Sequence, residues 1–179
     1  MYKRQEEDDE NLGLTIEEVY PLDVHSHWLT VQGALARNNA PDGSPSYASA
    51  AGLRYGLTLG KMMFLRKAHV QDSFAVEGGL LFYKMLNYEV EGNAYSVLAA
   101  VGTARYTIAF GETLGIFFYG GLLQNRVTGD VGGTDEHRTL LSSVVPAAGA
   151  GILFRVGPSW DARVDVGLDM FAAGLVLRF

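Results

Sequence analysis

The most constraining feature of this chain is a strict alternation of apolar and polar residues near its C-terminal end. Every second residue from Trp160 is apolar: Trp160, Ala162, Val164, Val166 and Leu168. The residues between them are mostly charged: Asp161, Arg163, Asp165, Gly167 and Asp169. After a tight connection, the final residues alternate again up to Phe179. Because successive side chains of a β-strand point to opposite faces, this pattern predicts two strands, each with one apolar face.

Similar alternation recurs upstream and predicts eight strands in all. The six further segments are residues 28–37, 53–60, 74–82, 98–110, 116–122 and 140–154. Polar loops at residues 38–46, 89–93 and 127–138 alternate with shorter links at residues 111–113 and 156–159. Such connections predict an antiparallel meander with long loops at one end and short turns at the other. The register stays open at residues 61–72 and 114–125, where the alternation is weaker.

An apolar strand face can meet either a protein core or lipid. In a soluble sandwich or barrel it points inward, and this alternative stays open on the alternation alone. The opposite face of these strands combines glycine, alanine and threonine with single charges, and it carries fewer lysines and glutamates than a water-facing surface does. We therefore predict an all-β fold, an eight-stranded antiparallel up-and-down transmembrane β-barrel whose apolar faces meet lipid.

A barrel of eight strands leaves a lumen that side chains fill. We predict that the charges on the small-residue faces form a lumen network: Arg54, Glu77, Arg105, Arg155, Asp161, Arg163 and Asp165. The alternative for each residue is a solvated position at a rim. The aromatic residues near strand ends predict girdles at the membrane boundaries: Trp28, Tyr47, Tyr95, Phe110 and Trp160.

Length and composition limit the number of domains and the classes of partner and site. The 179 residues suffice for one barrel at residues 23–179, preceded by an acidic, poorly ordered segment at residues 1–22. That segment supplies much of the net charge of −6, and no basic stripe indicates nucleic acid as a partner. The absence of cysteine excludes disulfides and thiolate metal sites. No export signal of roughly 7–15 apolar residues is visible, and we expect that it is missing from this sequence.

Candidate reactive or metal-binding groups are incomplete. His25 and His27 would share a face of the first strand, but two ligands are too few for a metal site. The acids at residues 130–136 lack the spacing of a calcium loop. The serines at residues 142–143 follow His137 without the Gly-x-Ser-x-Gly context of a hydrolase nucleophile. We therefore expect no cofactor, no metal and no enzymatic activity.

The last predicted strand carries a resemblance to a known family. An alternating series ends there on an aromatic residue: Phe171, Ala173, Leu175, Leu177 and Phe179. Residues 28–179 resemble the small eight-stranded outer-membrane barrels of the OmpA-like and OmpX-like kind. The resemblance implies a Gram-negative outer membrane, with its lipid and lipopolysaccharide as partners. It also implies that the barrel-assembly machinery reads Leu175, Leu177 and Phe179 as a C-terminal signal.

These observations predict a monomeric outer-membrane β-barrel protein with a structural or surface-interaction role and a lumen filled by side chains. One alternative is a narrow, porin-like channel for small solutes. A second alternative is an outer-membrane lipid hydrolase. The sequence leaves open which ligand or partner the loops would contact.

Overall fold

The computed structural model describes residues 27–39, 45–67, 70–86, 94–128 and 142–179. Its strands are β1 (His27–Asn39), β2 (Pro45–Lys67), β3 (Val70–Leu86), β4 (Ala94–Phe110), β5 (Leu114–Thr128), β6 (Val144–Gly157), β7 (Trp160–Gly167) and β8 (Met170–Arg178). Within these ranges, no helix has the length and hydropathy needed to cross a bilayer. The predicted acidic segment at residues 1–22 lies outside the described residues.

The eight strands form a closed antiparallel barrel in which each strand pairs with its neighbours in sequence. β1 pairs with β2 on one side and with β8 on the other, and the closing ladder runs from the Trp28–Arg178 pair to the Ala36–Met170 pair. Every described strand therefore has two hydrogen-bonded neighbours, and none is an open edge. The predicted eight-stranded up-and-down barrel is confirmed.

The apolar strand faces point outward. Phe118, Val164 and Leu175 expose 52%, 50% and 50% of their surface. By contrast, the charged residues that alternate with Val164 in β7, Arg163 and Asp165, are each 1% exposed. A soluble sandwich or barrel has the reverse arrangement, so that alternative is excluded. An apolar surface that surrounds a barrel is stable against hydrocarbon and unfavourable in water.

Some predicted boundaries and faces were wrong. β6 begins at Val144 instead of near residue 140, and the last turn occupies residues 168–169. Trp28 and Tyr95 are buried inside the barrel and are not girdle residues. Each is in the inward phase of its strand, Trp28 with Thr30 and Tyr95 with Val97. The other predicted girdle residues point outward as expected: Tyr47, Phe110 and Trp160.

The segment whose register the sequence left open is irregular. The pairing of β2 with β3 shifts between Thr58 and Gly60 and again between Lys61 and Arg66. The other uncertain segment, β5, is regular: Gly115, Phe117 and Tyr119 face inward. An irregular pairing locally disrupts the ladder and bends the strand, so the β2 segment departs from the regular wall of the barrel.

Glycine makes room for large aromatic rings inside the barrel. A Cβ atom at Gly56 would lie 2.0 Å from Cε2 of Trp28, and one at Gly151 would lie 2.2 Å from Cζ of Phe117. Gly78 points outward, where a Cβ atom would meet nothing within 4 Å. The inward glycines are therefore required by packing, because any side chain there would displace a ring or a strand.

Candidate functional site: an ion network inside the barrel

Four strands direct charged side chains to one point in the lumen. Arg54 on β2, Glu77 on β3, Arg105 on β4 and Arg163 on β7 all occupy inward positions of their strands and are at most 3% exposed. Glu77 and Arg163 are 86 residues apart in sequence but in direct contact. Closure of the barrel therefore creates a site that no single strand contains.

Glu77 is the centre of this site. Arg163 donates to both carboxylate oxygens, through Nη1 to Oε1 at 2.7 Å and through Nη2 to Oε2 at 3.0 Å. Arg105 Nη1 donates to Oε1 at 2.8 Å, and Arg54 Nη1 donates to Oε2 at 3.4 Å. The indole nitrogen of Trp28 adds a donor at 3.2 Å. One carboxylate thus holds three guanidinium groups together. Its two hydrogen bonds with Arg163 form a bidentate pair.

Further acids balance the remaining positive charge. Arg163 also donates to Asp165, through Nη2 at 2.8 Å and Nε at 2.9 Å. Nη2 of Arg54 lies 3.9 Å from the carboxylate of Asp169, whose other oxygen accepts from the Tyr119 hydroxyl at 2.9 Å. Three arginines thus face three acids. Such balance is needed because an unpaired charge in a water-poor interior costs several kcal/mol.

Aromatic rings pack against the guanidinium groups. The guanidinium carbon of Arg105 lies 4.2 Å from the ring centre of Trp28, and that of Arg163 lies 4.7 Å from the ring centre of Phe117. Arg54 lies over Tyr119 at 5.9 Å. These cation–π contacts add to the hydrogen bonds in holding the guanidinium groups in place.

A second ion cluster lies nearer the end of the barrel at which β1 begins and β8 ends. Arg178 Nε lies 3.1 Å from Oδ2 of Asp161, and Arg155 Nε lies 3.9 Å from Oδ1 of the same carboxylate. Arg178 also donates to the carbonyl of Pro158 at 3.0 Å. The side chain of Arg155 is 17% exposed, whereas that of Asp161 is 2% exposed. This cluster ties β6, β7 and β8 together beside the turn at residues 158–159.

The other half of the lumen is apolar. A buried cluster there includes Tyr83, Met85, Tyr95, Val97, Leu123 and Met170. Two of its hydroxyls have partners: that of Tyr83 donates to Asn125 at 2.8 Å, and that of Tyr95 contacts the Met85 sulfur at 3.4 Å. The ion network and this apolar cluster thus lie at different levels of the lumen.

The structure brings the seven charges named from the sequence into two places. Arg54, Glu77, Arg105, Arg163 and Asp165 belong to the central network, and Arg155 and Asp161 belong to the second cluster. Sequence reasoning missed Trp28, Asp169 and Arg178. Trp28 and Arg178 could have been found from the phase of their strands, since each alternates with outward apolar residues. Asp169 continues the charged alternation of β7, but the sequence pattern assigned it to the connection before β8 and not to the lumen.

The other candidate groups lie partly outside the described residues. His25 and His137 lie outside the described residues, and no group of three potential metal-ligating side chains occurs in the described part of the chain. The hydroxyl of Ser142 accepts a hydrogen bond from the backbone amide of Val127 at 3.4 Å. His27 lies at the outer wall, where its ring stacks at 6.4 Å on that of Phe179.

No family model matches the sequence, and no curated protein matches it either. Among solved structures, the chain is similar to Neisserial surface protein A, with a TM-score of 0.51 and 17% identity over 86% of this chain and 97% of that one. It also matches the Yersinia pestis outer membrane protein Ail, with a TM-score of 0.46 and 17% identity over 87% and 99% of the two chains. The likeness to the Neisserial protein supports the resemblance stated above, at the level of the fold: this chain has the architecture of a small outer-membrane barrel.

We predict that Glu77→Gln strongly destabilises the barrel. The amide cannot neutralise three buried guanidinium groups, and breaking a buried ion pair typically costs about 3–5 kcal/mol. Urea unfolding of the protein in detergent or lipid measures the loss. The control is Glu112→Gln in the exposed turn at residues 111–113, which we expect to change the free energy of unfolding by less than about 0.5 kcal/mol. Equal stability of the Glu77 variant and the unmodified protein would contradict the network's role.

Proposed function

We propose that this protein is a closed β-barrel of a bacterial outer membrane, with a structural or surface-interaction role and no solute path through its lumen. The observation that carries the proposal is the ion network around Glu77, in which three arginines and three acids occupy the centre of an apolar-walled barrel. Moving an ion through this point would require separating bidentate bonds in a low-dielectric interior. This cost weighs against the channel alternative.

The outward side chains support the proposal that lipid surrounds the barrel and that the lipid layer ends near the longer connections. Its apolar side chains give way on β3 and β5 to the exposed polar residues Lys84, Gln124 and Arg126. Basic side chains at that level can pair with phosphate groups of lipopolysaccharide. The connections at residues 40–44, 87–93 and 129–141 leave the strands at this end, so we propose that they face outside the cell and meet its partners.

The proposed orientation predicts a pattern of surface labelling in intact cells. The chain has no cysteine, so single substitutions give unique labelling sites. Asp135→Cys, between β5 and β6, should react with a polymer-linked maleimide too large to cross the outer membrane. Glu112→Cys, in the short turn between β4 and β5, should react only after the cells are permeabilised. Labelling of both sites without permeabilisation, or of the turn alone, would refute the orientation.

A lumen filled by side chains predicts that the barrel does not conduct ions. The purified barrel in a planar bilayer should give no discrete conductance steps, because a passing ion would have to separate the buried ion pairs around Glu77. Discrete ion steps that disappear in an Arg163→Gln variant would instead support the channel alternative. A preparation that shows one heat-shifted folded band on a gel serves as the control for correct folding.

The C-terminal residues are proposed to act in assembly, as the resemblance implied. Leu175 and Phe179 point outward from β8 and expose 50% and 57% of their surface, and Leu177 shares their phase. Phe179 also has contacts in the folded barrel, since its ring lies 6.4 Å from those of His27 and Tyr55. A test must therefore separate recognition during assembly from stability after it.

We predict that Phe179→Ala lowers the amount of folded barrel in cells much more than it lowers spontaneous refolding in detergent. The assembly machinery is present only in the first experiment, so the difference reports recognition. Phe171→Ala is the matched control, because it removes an outward aromatic ring from the other end of the same strand. If the two variants behave alike in cells, or if Phe179→Ala fails equally in detergent, the signal role is wrong.

A further inference from the structure

The irregular part of β2 has a composition unlike the other connections at its end of the barrel. Residues 61–67 read Lys-Met-Met-Phe-Leu-Arg-Lys, four apolar residues between basic ones. The pairing with β3 is interrupted between Lys61 and Arg66, so the apolar residues lie outside the regular ladder. The turns at residues 111–113 and 158–159 have neither this length nor this charge. The proposed lumen and loop functions do not use the segment.

Asp72 fixes this segment against the outer wall. It pairs with Ile108 on β4, and side chains that pair directly across strands share a face, so the carboxylate lies on the outward side. It is nevertheless only 2% exposed. It accepts from the backbone amides of Phe64 at 2.9 Å and Leu65 at 3.1 Å, and from the Tyr106 hydroxyl at 2.7 Å. The segment thus covers an acid that would otherwise face lipid.

Phe64 points outward from the segment that Asp72 holds. Its ring lies 6.1 Å from that of Tyr106 on β4, which means that the segment reaches across β3 to a strand that β2 does not pair with. Phe64 is 76% exposed, the largest value among the exposed large apolar side chains of the described residues. An exposed aromatic ring on an outer wall, flanked by basic residues, is typical of a segment at the boundary between lipid and water.

We infer that residues 61–67 form an interfacial anchor that binds anionic phospholipid headgroups. This inference rests on the proposed function, which places this end of the barrel at the periplasmic leaflet. Phe64 enters the acyl region, and the positive charge that Lys61, Arg66 and Lys67 give this segment attracts phosphate groups of net negative charge. Asp72 is a positioning residue, because it holds the segment without contacting the headgroups.

The test measures contacts between lipid and a fluorescent label placed within residues 61–67. A fluorescent label on Met63→Cys in the otherwise cysteine-free chain reports quenching by brominated phosphatidylglycerol and, separately, by brominated phosphatidylcholine at equal mole fraction. We expect severalfold stronger quenching by phosphatidylglycerol. The preference should fall toward equality in a Lys61→Gln, Arg66→Gln, Lys67→Gln variant and at high salt. A label on Tyr47→Cys, at the opposite end of the barrel, should show no response to these three substitutions.

The outcomes separate the two proposals. If the protein gives no heat-shifted band and no quenching by either lipid, it does not insert, and the proposed function fails. If it inserts and both lipids quench equally, or if the triple variant keeps its preference, only the anchor is refuted. Phe64→Ser should weaken quenching by both lipids together, because it removes the apolar contact and leaves the charges. Asp72→Ala should lower the phosphatidylglycerol preference while Lys61, Arg66 and Lys67 are all retained.

Discussion

Pairing between β1 and β8 is the constraint on which the rest of this structure depends. Backbone amides and carbonyls in hydrocarbon have no water to bond, and each unpaired group costs several kcal/mol. The closing ladder from the Trp28–Arg178 pair to the Ala36–Met170 pair supplies partners to both edges of the sheet. Closure then divides each strand into an outward face that meets lipid and an inward face that must pack within a small volume.

The small inner volume explains the chemistry of the lumen. Gly56 and Gly151 are needed where Trp28 and Phe117 occupy the space that a side chain would take. Charges are tolerated because acids and arginines from different strands meet at hydrogen-bond distance, with Glu77 shared among three partners. The same pairing places tightly bonded side chains across the lumen, and separating them to pass an ion would cost free energy. The proposed absence of a solute path therefore depends on the same contacts that stabilise these charges.

Period-two alternation predicted the fold and the orientation of most strands, because it reports which residues share a face. It also indicates that Asp161, Arg163 and Asp165 share one face of β7, since they alternate with wholly apolar residues, and the structure buries that face. It could not predict that Arg163 contacts Glu77, because that contact depends on how the strands are offset around the closed barrel. The prediction for Trp28 was wrong because a tryptophan near a strand end is typical of a girdle, whereas its alternation with Leu29 and Val31 places it inside the barrel.

The irregular segment of β2 shows the other limit of sequence patterns. Its position depends on hydrogen bonds from its own backbone to Asp72, and no side-chain periodicity encodes them. Asp72 itself lies on the outward face, where alternation alone predicts an apolar residue. The conflict is resolved only in three dimensions, where the segment and Tyr106 cover the carboxylate.

The orientation of the strand faces is tested most directly by spin labels placed along β8 in a lipid bilayer. Labels on Ala173→Cys and Leu175→Cys should collide readily with dissolved oxygen, which concentrates in hydrocarbon, and rarely with a water-soluble nickel complex. Labels on Ala172→Cys and Val176→Cys should be shielded from both reagents, because these two side chains are buried inside the barrel. If the labels at residues 173 and 175 respond to the nickel complex instead, or if the two sets exchange their behaviour, the apolar faces do not meet lipid and the account is wrong.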